Sequence, residues 1–173
     1  ITSDPASQFA DKPAMKAAEI ADVTIDRMRR GSFDFGRINF ANGDMVGHTG
    51  DLKAAIRAVE VVDQQLGRLL SAADETGTTL IITADHGNAD EMFDAKEADF
   101  PNWENADGKR PKPKTSHTLA PVPCIIYGKE SLNWQLAATS PRTLANVANT
   151  VIDLLGLPPN PLYLPSLISR KYG

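Results

Sequence analysis

LIITADHGNADEM (residues 80–92) decides the fold. A short β-branched apolar run of this kind reads as a strand covered on both faces. It ends abruptly on Asp85-His86-Gly87, with Asp90 and Glu91 close behind. In open α/β sheets, ligands gather outside the carboxyl ends of strands, so an acid and an imidazole at that point mark a candidate site.

Working outward, helix and strand signals alternate. Leu52, Ala55, Ile56, Val59, Val62, Leu66, Leu69, Leu70 and Ala73 recur at spacings of three and four. They predict one apolar face of a long helix that ends near Gly77. Upstream, residues 11–31 read as a helix with Asp11 as N-cap, Pro13 in its first turn, arginines in its last turn and Gly31 as C-cap. Residues 33–40 read as a short strand, and PVPCIIYG (residues 121–128) as another, with Cys124 a small core residue. Ser140-Pro141 would start a last helix running to Leu155 and stopped by Gly156 and Pro158. The order points to an α/β fold, a mostly parallel sheet flanked by helices. Residues 94–114 are polar, contain Trp103 and GKRPKPK, and read as a solvated loop or, more sharply, a lid.

Composition narrows the function classes. The chain has 173 residues, enough for one sizeable core. A net charge of -4 and an absence of aromatic-basic interleaving argue against a nucleic-acid partner. No apolar run approaches the ~20 residues that span a bilayer, and residues 1–4 carry no signal-peptide pattern. The single cysteine fits a reducing, cytoplasmic setting. A first residue Ile1 in place of methionine leads us to expect a piece of a longer chain.

All three histidines lie in loops at strand ends. ANGDMVGHTG (residues 41–50) holds Asp44 and His48 four residues apart beside glycines. Asp85 and His86 follow the central strand, and His117 precedes the strand at residues 121–128. Imidazole and carboxylate without thiolate suit Zn, Mn or Fe. Five ligands exceed one tetrahedral ion with an open position and suit two ions, the arrangement used in phosphoryl transfer. Metal-free acid-base catalysis by His86 and Asp85 is weaker, because adjacent residues of an extended chain point apart. A triad through Ser116 is weaker still, since no nucleophile-elbow context surrounds it.

Residues 39–70, 80–92 and 115–128 closely resemble the cofactor-independent (2,3-bisphosphoglycerate-independent) phosphoglycerate mutases of the alkaline phosphatase superfamily. The match runs over residues 34–128, and LANVANTVIDLLGL (residues 144–157) and PSLI (residues 165–168) fit the family's C-terminus. Gly43, where many bacterial relatives carry proline, resembles the plant and kinetoplastid branch, as does the long insert at residues 94–114.

The resemblance implies a glycolytic isomerase, monomeric when intact. It interconverts 3-phosphoglycerate and 2-phosphoglycerate through a phosphoserine, with two Mn²⁺ ions. By motif, Asp44, His48 and His117 would bind one ion, and Asp85 and His86 the one that holds the serine. In the family that serine, a further aspartate and the phosphotransferase domain precede the segment matched here. Residues 1–173 are thus expected to be the C-terminal part of the metal-binding phosphatase domain, with no catalytic nucleophile and no recognisable substrate-binding residues. Alone, the chain would be inactive and hold one weak ion or none, and its partner would be the missing N-terminal part. The alternatives are a self-sufficient metallophosphatase using water, or a non-catalytic metal-binding module. The three ligands of the first ion should converge, with Asp85 and His86 beside them but facing solvent. The strand at residues 80–83 or its neighbour should be less covered than in a complete domain.

Overall fold

A computed structural model describes residues 1–94 and 112–171. Four helices, α1 (Ala17–Arg29), α2 (Asn42–Gly47), α3 (Leu52–Thr76) and α4 (Val147–Leu154), accompany four short strands. These are β1 (Leu80–Thr83), β2 (Cys124–Tyr127), β3 (Trp134–Leu136) and β4 (Ile168–Arg170). The α/β class stands as expected, but the pairing sense differs. β1 pairs antiparallel with β2 in the register Leu80 to Tyr127 through Thr83 to Cys124, and β3 pairs antiparallel with β4. The reason is the connection: among the described residues no helix separates β1 from β2, so the chain turns back and runs antiparallel.

α3 organises the molecule. The Asp51 side chain accepts from the Ala54 amide at 3.0 Å and caps its start. Gly77, at φ 72°, closes its end in the left-handed conformation that glycine adopts without strain. The buried face differs from the one that the bulky residues predict. Ala54, Ala55, Ala58, Val61, Gln65, Leu69, Ala72 and Ala73 are buried, whereas Ile56 and Val59 stay half exposed. Small alanines let α1 and α2 approach α3 closely, and the larger aliphatics are left on a second, partly open stripe.

Two apolar clusters result. Ile25 and Met28 of α1 pack with Leu69, Ala72 and Ala73, and Phe40, Leu66, Leu80 and Tyr127 close over them. Nearer the start of α3, Phe9, Val46, Ala54 and Ala58 form the second, with Ala10, Met15 and Met45 around it. Together they moor α2 and the start of β1 on α3.

Four local expectations need correction. α1 starts at Ala17 instead of after Asp11, because Met15 takes φ 43° and interrupts any earlier helix. Residues 33–40 form no strand: the segment has no ladder partner among the described residues, and Phe33, Phe35 and Ile38 are exposed. The last helix is capped by Thr143 in place of Ser140. Thr143 and Asn146 exchange side-chain and backbone bonds as a capping box over a short 3₁₀ turn that leads into α4. Cys124 is exposed, because its face of the β1–β2 pair is left open. Ile125, on the opposite face, is 51% exposed as well, and all of β1 is only partly covered, as expected for this strand pair.

Past β2 the cohesion changes character. Asn146, Asn149 and Thr150 of the α4 region are buried, and their side chains hold the following segment by its backbone. The Asn149 amide donates to the carbonyls of Asn160, Tyr163 and Leu164, and Asn146 donates to Pro165.

Of residues 94–114, read as a loop or lid, 95–111 lie outside the described residues. The flanks meet: Phe93 bridges Pro113, the Asp94 amide donates to the Lys112 carbonyl at 2.9 Å, and the Lys114 amide donates to Met92 at 3.0 Å. Lys114 also pairs with Glu91, whose hydrogen bond pushes the ammonium upward from its usual range.

Candidate metal centre

The segment that sequence reading treats as a loop contains a helical turn, and the turn matters. Asn42 opens α2 and is almost wholly buried, its amide donating to the carbonyls of Pro13 and Ala14 at 2.8 and 2.9 Å. Val46, on the same element, is fully buried in the second core cluster. With the helix so seated, positions four apart share a face, and Asp44 and His48 project together.

His117 reaches them from a chain segment far removed in sequence. His48 Nε2 lies 3.1 Å from Asp44 Oδ1, His117 Nε2 lies 3.2 Å from the same oxygen, and the two Nε2 atoms are 3.1 Å apart. Asp44 is partly buried and the two imidazoles are exposed, so the cluster opens to solvent on one side.

The tautomer of His48 follows from its other nitrogen. Nδ1 sits 2.6 Å from the Thr115 carbonyl, which can only accept, so Nδ1 carries the proton. Neutral His48 therefore turns a bare lone pair toward the Asp44 carboxylate. That juxtaposition is unfavourable unless positive charge, a proton or a cation, stands among the three atoms. A backbone carbonyl behind a coordinating imidazole is also the usual device that orients a metal-binding histidine.

The donor set fits a divalent ion. With their ligand atoms 3.1–3.2 Å apart, Asp44, His48 and His117 are the residues that would hold it. Two imidazoles and one carboxylate leave further positions open, which is the pattern of a reactive site and not of a closed structural one.

Asp85 and His86 behave differently. Ring stacking brings His86 to the cluster, its centroid 3.7 Å from that of His117 at an interplanar angle of 19°. Asp85 leaves the end of β1 into solvent, its side chain 80% exposed, and stays 3.7 Å from His86 Nε2. His86 adjoins the triad through this stacking, whereas Asp85 is linked to it only through His86.

A small polar staple holds this loop to the next. The Thr118 amide donates to the Gly87 carbonyl at 2.8 Å, and the Thr118 hydroxyl donates to Asp90 Oδ2 at 2.8 Å. Gly87 must be glycine for space: a Cβ there would stand 2.1 Å from Thr118 Oγ1 and 2.5 Å from Asp90 Oδ1. Sequence reading missed Asn88, Asp90, Thr115 and Thr118. In the sequence Asp90 reads only as a nearby carboxylate, and Asn88 carries no signal within residues 80–92.

Asn88 is buried, and its amide nitrogen donates to Asp44 twice, at 3.2 Å to the backbone carbonyl and 2.7 Å to Oδ1. Its own Oδ1 is buried with no partner. Leaving an acceptor so costs about 1–3 kcal/mol.

The other nucleophile candidates stand apart in character. Ser116 is exposed beside His117. Cys124 is exposed, yet enough of it is shielded for burial to push the thiol up from its usual range. A shift in that direction keeps the thiol protonated and a poor nucleophile.

Comparison with known proteins agrees with the donor chemistry. The metalloenzyme superfamily matches residues 1–159. The chain is 48% identical over 163 residues to the 2,3-bisphosphoglycerate-independent phosphoglycerate mutase of Trypanosoma brucei brucei, covering 93% of this chain and 29% of that protein. It is 42% identical to 2,3-bisphosphoglycerate-independent phosphoglycerate mutase 2 of Methanosarcina barkeri, covering 91% and 27%. Its structure is similar to a crystal structure of Leishmania mexicana phosphoglycerate mutase at low cobalt concentration, with a TM-score of 0.89 and 43% identity. That match covers 99% of this chain and 31% of the other. The chain thus spans under a third of the length of these relatives.

Proposed function

The chain belongs to the metalloenzyme superfamily, and from that premise we propose that it is part of a cofactor-independent phosphoglycerate mutase. The whole enzyme would interconvert 3-phosphoglycerate and 2-phosphoglycerate in cytoplasmic glycolysis, as a monomer, through a phosphoserine. Residues 1–173 would supply the C-terminal part of its metal-binding domain. The observation that carries this reading is the meeting of Asp44, His48 and His117, with ligand atoms 3.1–3.2 Å apart, in a chain 48% identical to such a mutase.

In this reading the triad holds one divalent ion, for which we favour Mn²⁺. Such an ion supplies Lewis acidity toward phosphoryl oxygens when bound. The residues of this chain provide the rest. His48, oriented by the Thr115 carbonyl, and His117, stacked on His86, keep their nitrogens aimed at one point. Asp44 offsets part of the ion's charge. Asp85 and His86 form half of a second site, completed by ligands from the remainder of the enzyme, including the serine that carries the phosphoryl group.

The division of labour predicts that the chain alone binds Mn²⁺ but turns nothing over. Calorimetric titration should give about one equivalent, and an enolase-coupled assay with 3-phosphoglycerate should stay at background with or without the metal. Metal-dependent mutase turnover by the purified chain would overturn the part-enzyme reading. Metal-dependent release of phosphate from a simple phosphomonoester would favour the self-sufficient metallophosphatase. The encoding transcript decides independently: a serine motif upstream of residue 1, in frame, is expected.

A further inference from the structure

We propose that Asn88 is a positioning residue for the cation site, and that Gly47 is glycine so that Asn88 can take up this post. The inference rests on the reading of Asp44, His48 and His117 as cation ligands and adds residues outside that set.

The orientation of the Asn88 amide is forced. Its nitrogen faces two acceptors of one residue, the Asp44 carbonyl at 3.2 Å and Asp44 Oδ1 at 2.7 Å. Turned over, the amide would set its oxygen against both. The oxygen it grips is the one that lies 3.1 Å from His48 Nε2 and 3.2 Å from His117 Nε2. One donor therefore fixes the carboxylate rotamer that places Oδ1 at the shared corner of the triad, while the remaining lone-pair capacity stays directed at the imidazoles. Asn88 pays for this in its own bonding, because Oδ1 is buried without a partner. A side chain kept merely to tie a loop down would not need that geometry.

Gly47 supplies the independent observation. A Cβ at this position would stand 2.3 Å from Asn88 Oδ1 and 2.9 Å from its Cγ, so no other residue leaves room for the amide. Gly47 is absent from the residues of positive φ, so its backbone does not require glycine. Space for Asn88 does. It also lies within α2, between Asp44 and His48, where glycine otherwise weakens a helix.

The test is Mn²⁺ titration of the chain and four variants, with metal-free melting of each. Asn88→Leu fills a similar volume and removes both the donor and the unpartnered oxygen, so metal-free stability should hold while the Kd for Mn²⁺ rises ~10–100-fold. Asn88→Ala should weaken binding to the same extent. Gly47→Ala should do so too, by displacing the amide. The double variant Gly47→Ala/Asn88→Ala should bind no more weakly than Asn88→Ala alone, since the clash has nothing left to displace.

Binding by a folded Asn88→Leu variant as tight as in the unaltered chain would overturn the proposal and leave the cation site standing. Additive losses in the double variant would overturn the link to Gly47. If the unaltered chain takes up no Mn²⁺, the cation site itself falls and this proposal falls with it.

Discussion

The triad and the Asp85–His86 pair use the same residue types and adjoin through stacked rings, yet only the triad is gathered. Asp44, His48 and His117 bring three ligand atoms to 3.1–3.2 Å, whereas Asp85 stays 3.7 Å from its own neighbour with its side chain 80% exposed. The difference lies in what stands behind the ligands. Asp44 and His48 share a helical face, and each is held from behind, by the Asn88 amide and the Thr115 carbonyl. Asp85 stands in the bend just past β1, separated from its end by one residue, and none of the described residues turns it inward. Convergence of such side chains is a property of the supporting backbone as much as of the residue types.

The sharpest way to break this contrast is to remove one imidazole from each side. His48→Ala should weaken Mn²⁺ binding ~100-fold or more, and His86→Ala by less than ~10-fold, as read by calorimetry. Equal losses would mean that the two groups act as one site.

Acidification acts next in size. An imidazole must be neutral to coordinate, so Mn²⁺ affinity should fall as pH is lowered, and binding in mildly acidic buffer should release protons. Calorimetry in buffers of different ionisation heat measures that release. A constant affinity across the imidazole range would argue that the carboxylate alone holds the ion.

Loosening the staple beside the pair probes how firmly His86 is seated. Thr118→Val removes the hydroxyl that donates to Asp90, and should cost about 1 kcal/mol of stability, seen in denaturant unfolding. The His86 ring resonances should shift as stacking on His117 relaxes, with little change in Mn²⁺ affinity. A large drop in affinity would instead bind the pair energetically to the triad.

The smallest effect is expected away from both. The Tyr127 hydroxyl donates to Asp74 at 2.9 Å, and this bond first, then shielding and the carboxylate's charge, push the phenol up from its usual range. A raised phenol contributes stability that is present below its unfolded pKa and lost as pH climbs through the folded one. Tyr127→Phe should therefore lower stability slightly at neutral pH, with the difference from the unaltered chain shrinking as the phenol ionises, and leave Mn²⁺ binding unchanged.

Legibility in the sequence was uneven, for physical reasons. The length and end of α3 were plain, because a 25-residue helix repeats its signal and Gly77 terminates it. Which face it buries was not, since aliphatic and alanine stripes interleave and only the partners choose between them. Residues 33–40 had the alternation of a strand, but a strand exists only with a neighbour to pair with. At the site, the loop histidines and nearby carboxylates marked five candidates, but it was the resemblance to phosphoglycerate mutases, and not spacing, that grouped Asp44, His48 and His117. Asn88 carried no such signal. Its bond to Asp44 joins residues far apart in sequence, and neither periodicity nor charge announces an amide in that role.

The bridge from Phe93 to Pro113, with its flanking amides, ties the chain into a neck beside the site. His86 and Asn88 lie on one side of the neck and Thr115 and His117 on the other, so the ligand geometry is settled before the chain departs and after it returns. The neck thus sets His86 and Asn88 against Thr115 and His117 through its own backbone bonds.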